Sequence, residues 1–160
     1  RGGSVMSHLR ISAASTWSPQ IPEGCAHMVV ALEPIEALRV LTVYGNPKTK
    51  ALCNTRAIQP ISVICGDSDY PSLGFLKQRI FELTENAWFV DATDAALKLG
   101  NPIYGNIMMI GALAAIGDLP MEREDFRTVI SKTMAPEKTE ANLSAYDAGA
   151  RMIHNNHMEL

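Results

Sequence analysis

The strongest constraint on this chain is an alternation of two kinds of segment. Short apolar runs are followed by longer stretches whose apolar residues recur every three or four positions, with proline or glycine between them. His27-Met28-Val29-Val30-Ala31-Leu32 is a continuous apolar run of the length expected for a strand buried on both faces. Glu33-Pro34 follows, and proline suits a first helical turn because its missing N–H would have no intrahelical partner there. Ile35, Leu38 and Leu41 then mark one helical face, which stops at Gly45, and Lys50–Asn54 reads as the next strand. The pattern recurs: Ser72 is placed to cap a helix carrying Leu73, Leu76, Ile80 and Leu83, and Trp88-Phe89-Val90 is a strand ending at Asp91. Thr93 is placed to cap a short helix closing at Gly100. Strands alternating with helices can bury their apolar surfaces only by forming a mainly parallel sheet covered on both sides, a three-layer α/β fold.

The remaining segments fit around that frame. Val5, Ser7, Leu9 and Ile11 alternate with Met6, His8 and Arg10, a period-two pattern that predicts a strand, and Gly2-Gly3 before it permits a sharp turn. Residues 12–24 are rich in serine, proline and glycine and read as a loop. Pro60-Ile61-Ser62-Val63 reads as extended, and Gly66-Asp67-Ser68-Asp69-Tyr70-Pro71 as a turn cluster. From Asn101 onward the chain is expected to be all-helical, over Ile103–Ile116, Met121–Met134 and Thr139–Ile153. These three helices should wrap one side or edge of the sheet. No linker or repeat divides the 160 residues, which predicts a single Rossmann-like domain over 1–160. The opening on a strand-like segment without methionine creates the expectation that residues are missing upstream.

Composition removes several function classes. With 47% hydrophobic and 19% charged residues and a formal net charge of −3, the chain is globular and lacks the clustered cations needed for nucleic acid. The longest apolar stretch, Ile107–Ile116, is roughly half the ~20 residues a membrane span requires. It reads instead as a central core helix, with a surface sealed against a partner as the alternative. Arg1-Gly2-Gly3-Ser4 is not a signal-peptide opening, and Cys25, Cys53 and Cys65 are too scattered for a disulfide framework, so a reduced cytoplasmic setting is expected.

Candidate chemistry is sparse. No GxGxxG follows a strand, no phosphate loop of the GxxxxGK type is present, and there is no CxxC pair. Cys25 and His27 lack a second ligand pair, and His154 and His157 sit in a polar tail. Asp67 and Asp69 read as turn formers. Glu33 and Asp91 both stand at strand ends, the place where open α/β sheets present groups to ligands, but either carboxylate could instead cap the helix that follows.

The opening Arg1-Gly2-Gly3-Ser4-Val5-Met6-Ser7-His8-Leu9-Arg10-Ile11 resembles the RGGSV-type strand of the gamma-domain family of 2-oxoacid:ferredoxin oxidoreductases. Further likenesses come in the family's order. They are Leu32-Glu33-Pro34-Ile35-Glu36-Ala37-Leu38-Arg39, Asp69-Tyr70-Pro71, Val90-Asp91-Ala92, Asn106–Leu113, and Glu140-Ala141-Asn142 with Gly149. Within the family, the likeness is to the beta subunits acting on indolepyruvate. The family's glycine-rich strand–turn–helix of GxGGQG type, normally upstream, is not in the sequence.

The resemblance implies a subunit without cofactors of its own. It would serve an enzyme that decarboxylates a 2-oxoacid, here indolepyruvate or another aryl pyruvate, to an acyl-CoA and passes electrons to ferredoxin. Thiamine diphosphate, magnesium and iron–sulfur clusters would belong to a large partner subunit, and the chain alone would be inactive. Arg1, Gly2, Gly3, Ser4, Glu33 and Asp91 are the residues expected to face partner or substrate, with the Arg1 guanidinium offered to a carboxylate or phosphate. An ordinary strand-entry turn is the alternative for Arg1–Ser4. A non-catalytic Rossmann-like module binding a ligand or protein is the alternative for the whole chain.

Overall fold

A computed structural model of the chain describes residues 4–13 and 18–156. The elements in chain order are β1 (Met28–Ala31), α1 (Pro34–Tyr44), β2 (Lys50–Asn54), α2 (Ile61–Ile64), α3 (Leu73–Glu82), β3 (Asn86–Val90), α4 (Ala92–Lys98), α5 (Tyr104–Ile116), α6 (Arg123–Ser131) and α7 (Pro136–Asn156). The strands form a three-stranded parallel sheet in the order β1-β2-β3, so the fold is α/β and consistent with a Rossmann-like domain. By its internal contacts the chain divides into two compact units. One takes in the described residues up to Ala51 with Ala57–Ala87, and the other takes in Leu52–Arg56 with the described residues from Trp88 onward.

In the first unit, α1 follows the predicted logic closely. Pro34 occupies the first turn, the Gly45 N–H caps the Leu41 carbonyl at 2.9 Å, and Ala37 and Leu41 are buried. The helix α1 packs against β1 and α3, where Leu76 and Ile80 turn inward, and Ser72 caps α3 by accepting the Phe75 N–H at 3.2 Å. Thr49, fully buried, donates its hydroxyl to the Ala26 carbonyl at 2.7 Å and accepts the Asn46 N–H at 2.8 Å, so the polar turn before β2 leaves no unmet hydrogen bond at Thr49.

Three predicted features of this unit differ. Val5–Ile11 forms no strand and belongs to no sheet. Val5 is 90% and Leu9 74% exposed, whereas His8 and Arg10 are partly covered, so the polar members of the alternation face inward. Alternation specifies two faces but not a ladder partner. The strand β1 is not buried on both faces: Val29 and Ala31 are buried while Val30 remains 43% exposed and lines an open groove, because α1 packs on only one face of the strand. Pro60–Val63 is not extended but opens α2, where the Pro60 carbonyl accepts the Val63 and Ile64 N–H groups at 3.0 and 3.1 Å. Proline disfavours helix for the residue before it, not for those after.

The second unit is built on α5 and α7, with α4 packed on α5 and α6 on α7. Its core gathers Leu52, Val90, Ala92, Ala96, Met108, Met109, Ala112, Ala145 and Ile153. Two glycines set the α5–α7 crossing. A Cβ on Gly111 would stand 2.8 Å from the Tyr146 carbonyl carbon, and one on Gly149 would stand 2.6 Å from that of Met108, so each glycine lies against the other helix's backbone. The strand β3 is buried only at Val90, with Trp88 and Phe89 half-covered. Thr93 is not the cap of α4. Asp91 occupies the cap position, without a side-chain cap bond, and Thr93 instead accepts the Asn54 amide at 2.9 Å. No helix among the described residues is long and apolar enough to cross a membrane.

Candidate functional site

Two places carry the residues singled out from the sequence. The larger is a groove of about 780 Å³ in the first unit, between Ser4–His8, the exposed side of β1, the start of α1 and the Ile58–Ile61 segment. Ser4 and Glu33 both line it. Their surroundings differ sharply. Ser4 is exposed, donates its hydroxyl to Glu36 Oε2, and accepts a hydrogen bond from Arg39 Nη2 at 2.5 Å. Arg39 also reaches Glu36 Oε2 through Nη2 at 2.6 Å and Nε at 3.0 Å. The Arg39 hydrogen bond first, and the Ser4 hydroxyl second, hold the Glu36 carboxyl below its usual range. The i,i+3 spacing of Glu36 and Arg39 on a helix made this pair available from the sequence, whereas its link to Ser4 was not.

Glu33, only 5% exposed, has both carboxylate oxygens engaged. Oε2 accepts the Glu36 N–H at 2.8 Å and so caps α1, and Oε1 accepts the Tyr70 hydroxyl. Of the two roles open to Glu33 in the sequence, the helix cap is therefore present, and the turn cluster at Gly66–Pro71 is tied to it through Tyr70. That tie has no local sequence signal, since Glu33 and Tyr70 are far apart in the chain.

Asp91 belongs to the second unit and lines a smaller cavity of about 340 Å³ with Phe89, Asp94, Lys98 and Met152. Its carboxylate accepts the Thr55 hydroxyl rather than capping α4, and beside it Arg56 pairs with Asp94 at 3.2 Å. Thr55 and Arg56 directly follow β2, as Asp91 follows β3, so both come from the carboxyl ends of parallel strands. Arg1, Gly2, Gly3 and His157 lie outside the described residues. Among the described residues, no three His, Cys, Asp or Glu side chains come together as a metal donor set. Cys25 and Cys65 are exposed and Cys53 is buried, and all three are free thiols.

An α/β chain with polar groups at its strand ends defines a class rather than a protein. Comparison with known sequences narrows it. The family model described as pyruvate ferredoxin/flavodoxin oxidoreductase matches residues 1–152. The chain is 34% identical over 153 residues to a Pyrococcus horikoshii protein named indolepyruvate oxidoreductase subunit IorB, covering 94% of this chain and 74% of that one. Proteins of the same name from Archaeoglobus fulgidus and Thermococcus kodakarensis are 36% identical over 149 residues and 30% identical over 152 residues. Those matches cover 93% and 94% of this chain, and 73% and 74% of the relatives. No solved structure matches the chain. The chain belongs to the pyruvate ferredoxin/flavodoxin oxidoreductase family.

Proposed function

We propose that this chain is the cofactor-free subunit of an oxidoreductase that acts on indolepyruvate or a related aryl pyruvate. In the overall reaction a 2-oxoacid loses carbon dioxide, its acyl group passes to the thiol of coenzyme A, and the two electrons released go to ferredoxin. Thiamine diphosphate, magnesium and the iron–sulfur clusters sit in a larger partner subunit, where the difficult bond changes occur. This chain contributes binding surface and orientation to the assembly.

The observation that carries this reading is the family match over residues 1–152, joined to relatives at 30% identity or more that share one subunit name. The scattered thiols support placing the clusters in the partner. Ser4, exposed and set between Glu36 and Arg39, supports a polar contact to the partner or substrate at that end of the groove. Asp91, with Thr55 and Arg56, supports a second one.

The test is reduction of a viologen dye that depends on aryl pyruvate and coenzyme A. It is run with this chain alone, with the large subunit alone, and with the two combined. Activity only in the combination is expected. Turnover by this chain alone, or full activity of the large subunit without it, would overturn the proposal.

A further inference from the structure

His8 is a residue that the proposed chemistry does not use. It sits on the N-terminal segment lining the 780 Å³ groove, with its ring edge-on to Tyr44 of α1, centroids 5.0 Å apart and planes at 81°. Its Nδ1 accepts the backbone N–H of Ile21 at 3.1 Å, and Ile21 lines the same groove. The strand-like segment thus holds the Ser18–Ile21 strap to the groove wall at one end. Arg10 Nη1 holds the other end, donating to the carbonyls of Ser18 at 2.8 Å and Gln20 at 3.2 Å.

A backbone N–H can only donate, so His8 must present a lone pair at Nδ1 and carry its proton on Nε2. Imidazolium has no lone pair at either nitrogen. Protonation would set Nδ1–H against the Ile21 N–H, two donors facing each other, and the bond is lost. We infer that His8 is a proton-sensitive latch on this strap: closed when the imidazole is neutral, and open, with Ile21 leaving the groove wall, when it is protonated.

Among the described residues, the other ionisable groups around His8 do not compete for this role. Tyr44 meets the ring from α1, and Glu33 and Glu36 on the groove wall are engaged with Tyr70 and with Ser4 and Arg39. Arg10, on the same segment, stays charged throughout, and Glu23 lies on the exposed turn beyond Ile21. Histidine is the side chain whose ordinary titration falls between roughly pH 5 and 8. The sign follows from the donor geometry: strap closure belongs to the neutral imidazole and is lost when the ring takes up a second proton.

The experiment follows the Ile21 amide by NMR hydrogen exchange in the full chain, corrected for intrinsic exchange, while the His8 ring resonances report its own titration. Protection of Ile21 should fall about three- to tenfold as His8 protonates, the range set by one net hydrogen bond. In His8→Asn, Oδ1 stands in for Nδ1 and does not titrate, so protection should persist at low pH. In His8→Phe the ring against Tyr44 remains but the acceptor does not, so protection should be low at every pH. Ile21 protection that stays constant while His8 titrates overturns the latch, as does wild-type protection in His8→Phe.

Discussion

The crossing of α5 and α7 offers the sharpest test of how this fold is held. A Cβ on Gly111 would meet the Tyr146 carbonyl carbon at 2.8 Å and its Cα at 3.0 Å, and a Cβ on Gly149 would meet the Met108 carbonyl carbon at 2.6 Å and its Cα at 2.7 Å. These are backbone atoms in the middle of a helix, so no side-chain rotation relieves the contact, and the helices must move apart. Met108, Ala112, Ala145 and Ile153, each buried to 3% exposure or less, lose packing when they do. Overpacking costs about 1–3 kcal/mol and occasionally more, and a contact against backbone belongs at the upper end. The gain in helix propensity from glycine to alanine, about 1 kcal/mol, offsets part of this. Gly111→Ala and Gly149→Ala should each lose a net ~2 kcal/mol, a fall in Tm of roughly 4–8 °C for a chain of this size. Gly111→Leu should lose more. The double alanine variant should cost less than the sum, because one separation of the helices relieves both contacts. Gly74 in α3 is the control: it has open space where a Cβ would go, so Gly74→Ala should be neutral or stabilising by up to ~1 kcal/mol. Thermal and urea melts of the five variants beside wild type decide it. If Gly111→Ala melts with or above wild type, the close-packed crossing is wrong.

Other expectations concern the polar ties. Arg123 donates to both carboxylate oxygens of Asp147 at 2.7 and 2.9 Å, and chiefly through this hydrogen bonding holds the Asp147 carboxyl below its usual range. A lowered carboxyl favours the folded state above its unfolded value of about 4, and that contribution is lost as pH falls through the lowered folded value. Asp147→Asn should therefore lower Tm at pH 7, with the gap to wild type closing as pH falls below about 4, and a gap constant with pH would refute the pairing. Glu33→Ala removes the α1 cap and should cost about 1–2 kcal/mol, while Tyr70→Phe should cost about 0.5–1.5 kcal/mol. A double-mutant cycle between them should show a coupling of at least ~0.5 kcal/mol, and additive effects would mean that the hydroxyl does not bind Glu33. Asn54→Leu strips the Thr93 hydroxyl and N–H of their partner at the ends of β2 and α4, and urea melts should show a loss of ~1–3 kcal/mol. An unchanged midpoint would place Asn54 outside that tie.

Where the chain's local chemistry is unambiguous, the sequence alone determined the structure. Pro34 and Gly45 bracket α1, Ser72 caps α3, Lys50–Asn54 is β2, and the apolar, glycine-containing stretch after Asn101 became the core helix α5. In each of these, helix ends or periodicity are written in adjacent residues. The order of the quoted motifs likewise carried the family. Tertiary structure decided everything that depends on a partner distant in the chain. Val5–Ile11 had the alternation of a strand, but a strand also needs a neighbour's backbone, and none pairs with it among the described residues. Pro60–Val63 was free to be extended or helical until the chain after it closed into a turn. Glu33 and Asp91 look alike as carboxylates at strand ends, yet one caps a helix and takes the Tyr70 hydroxyl while the other takes the Thr55 hydroxyl. Only the fold could set Gly111 and Gly149 at the same crossing, because helix packing matches surfaces that the chain brings together after its local structure has formed.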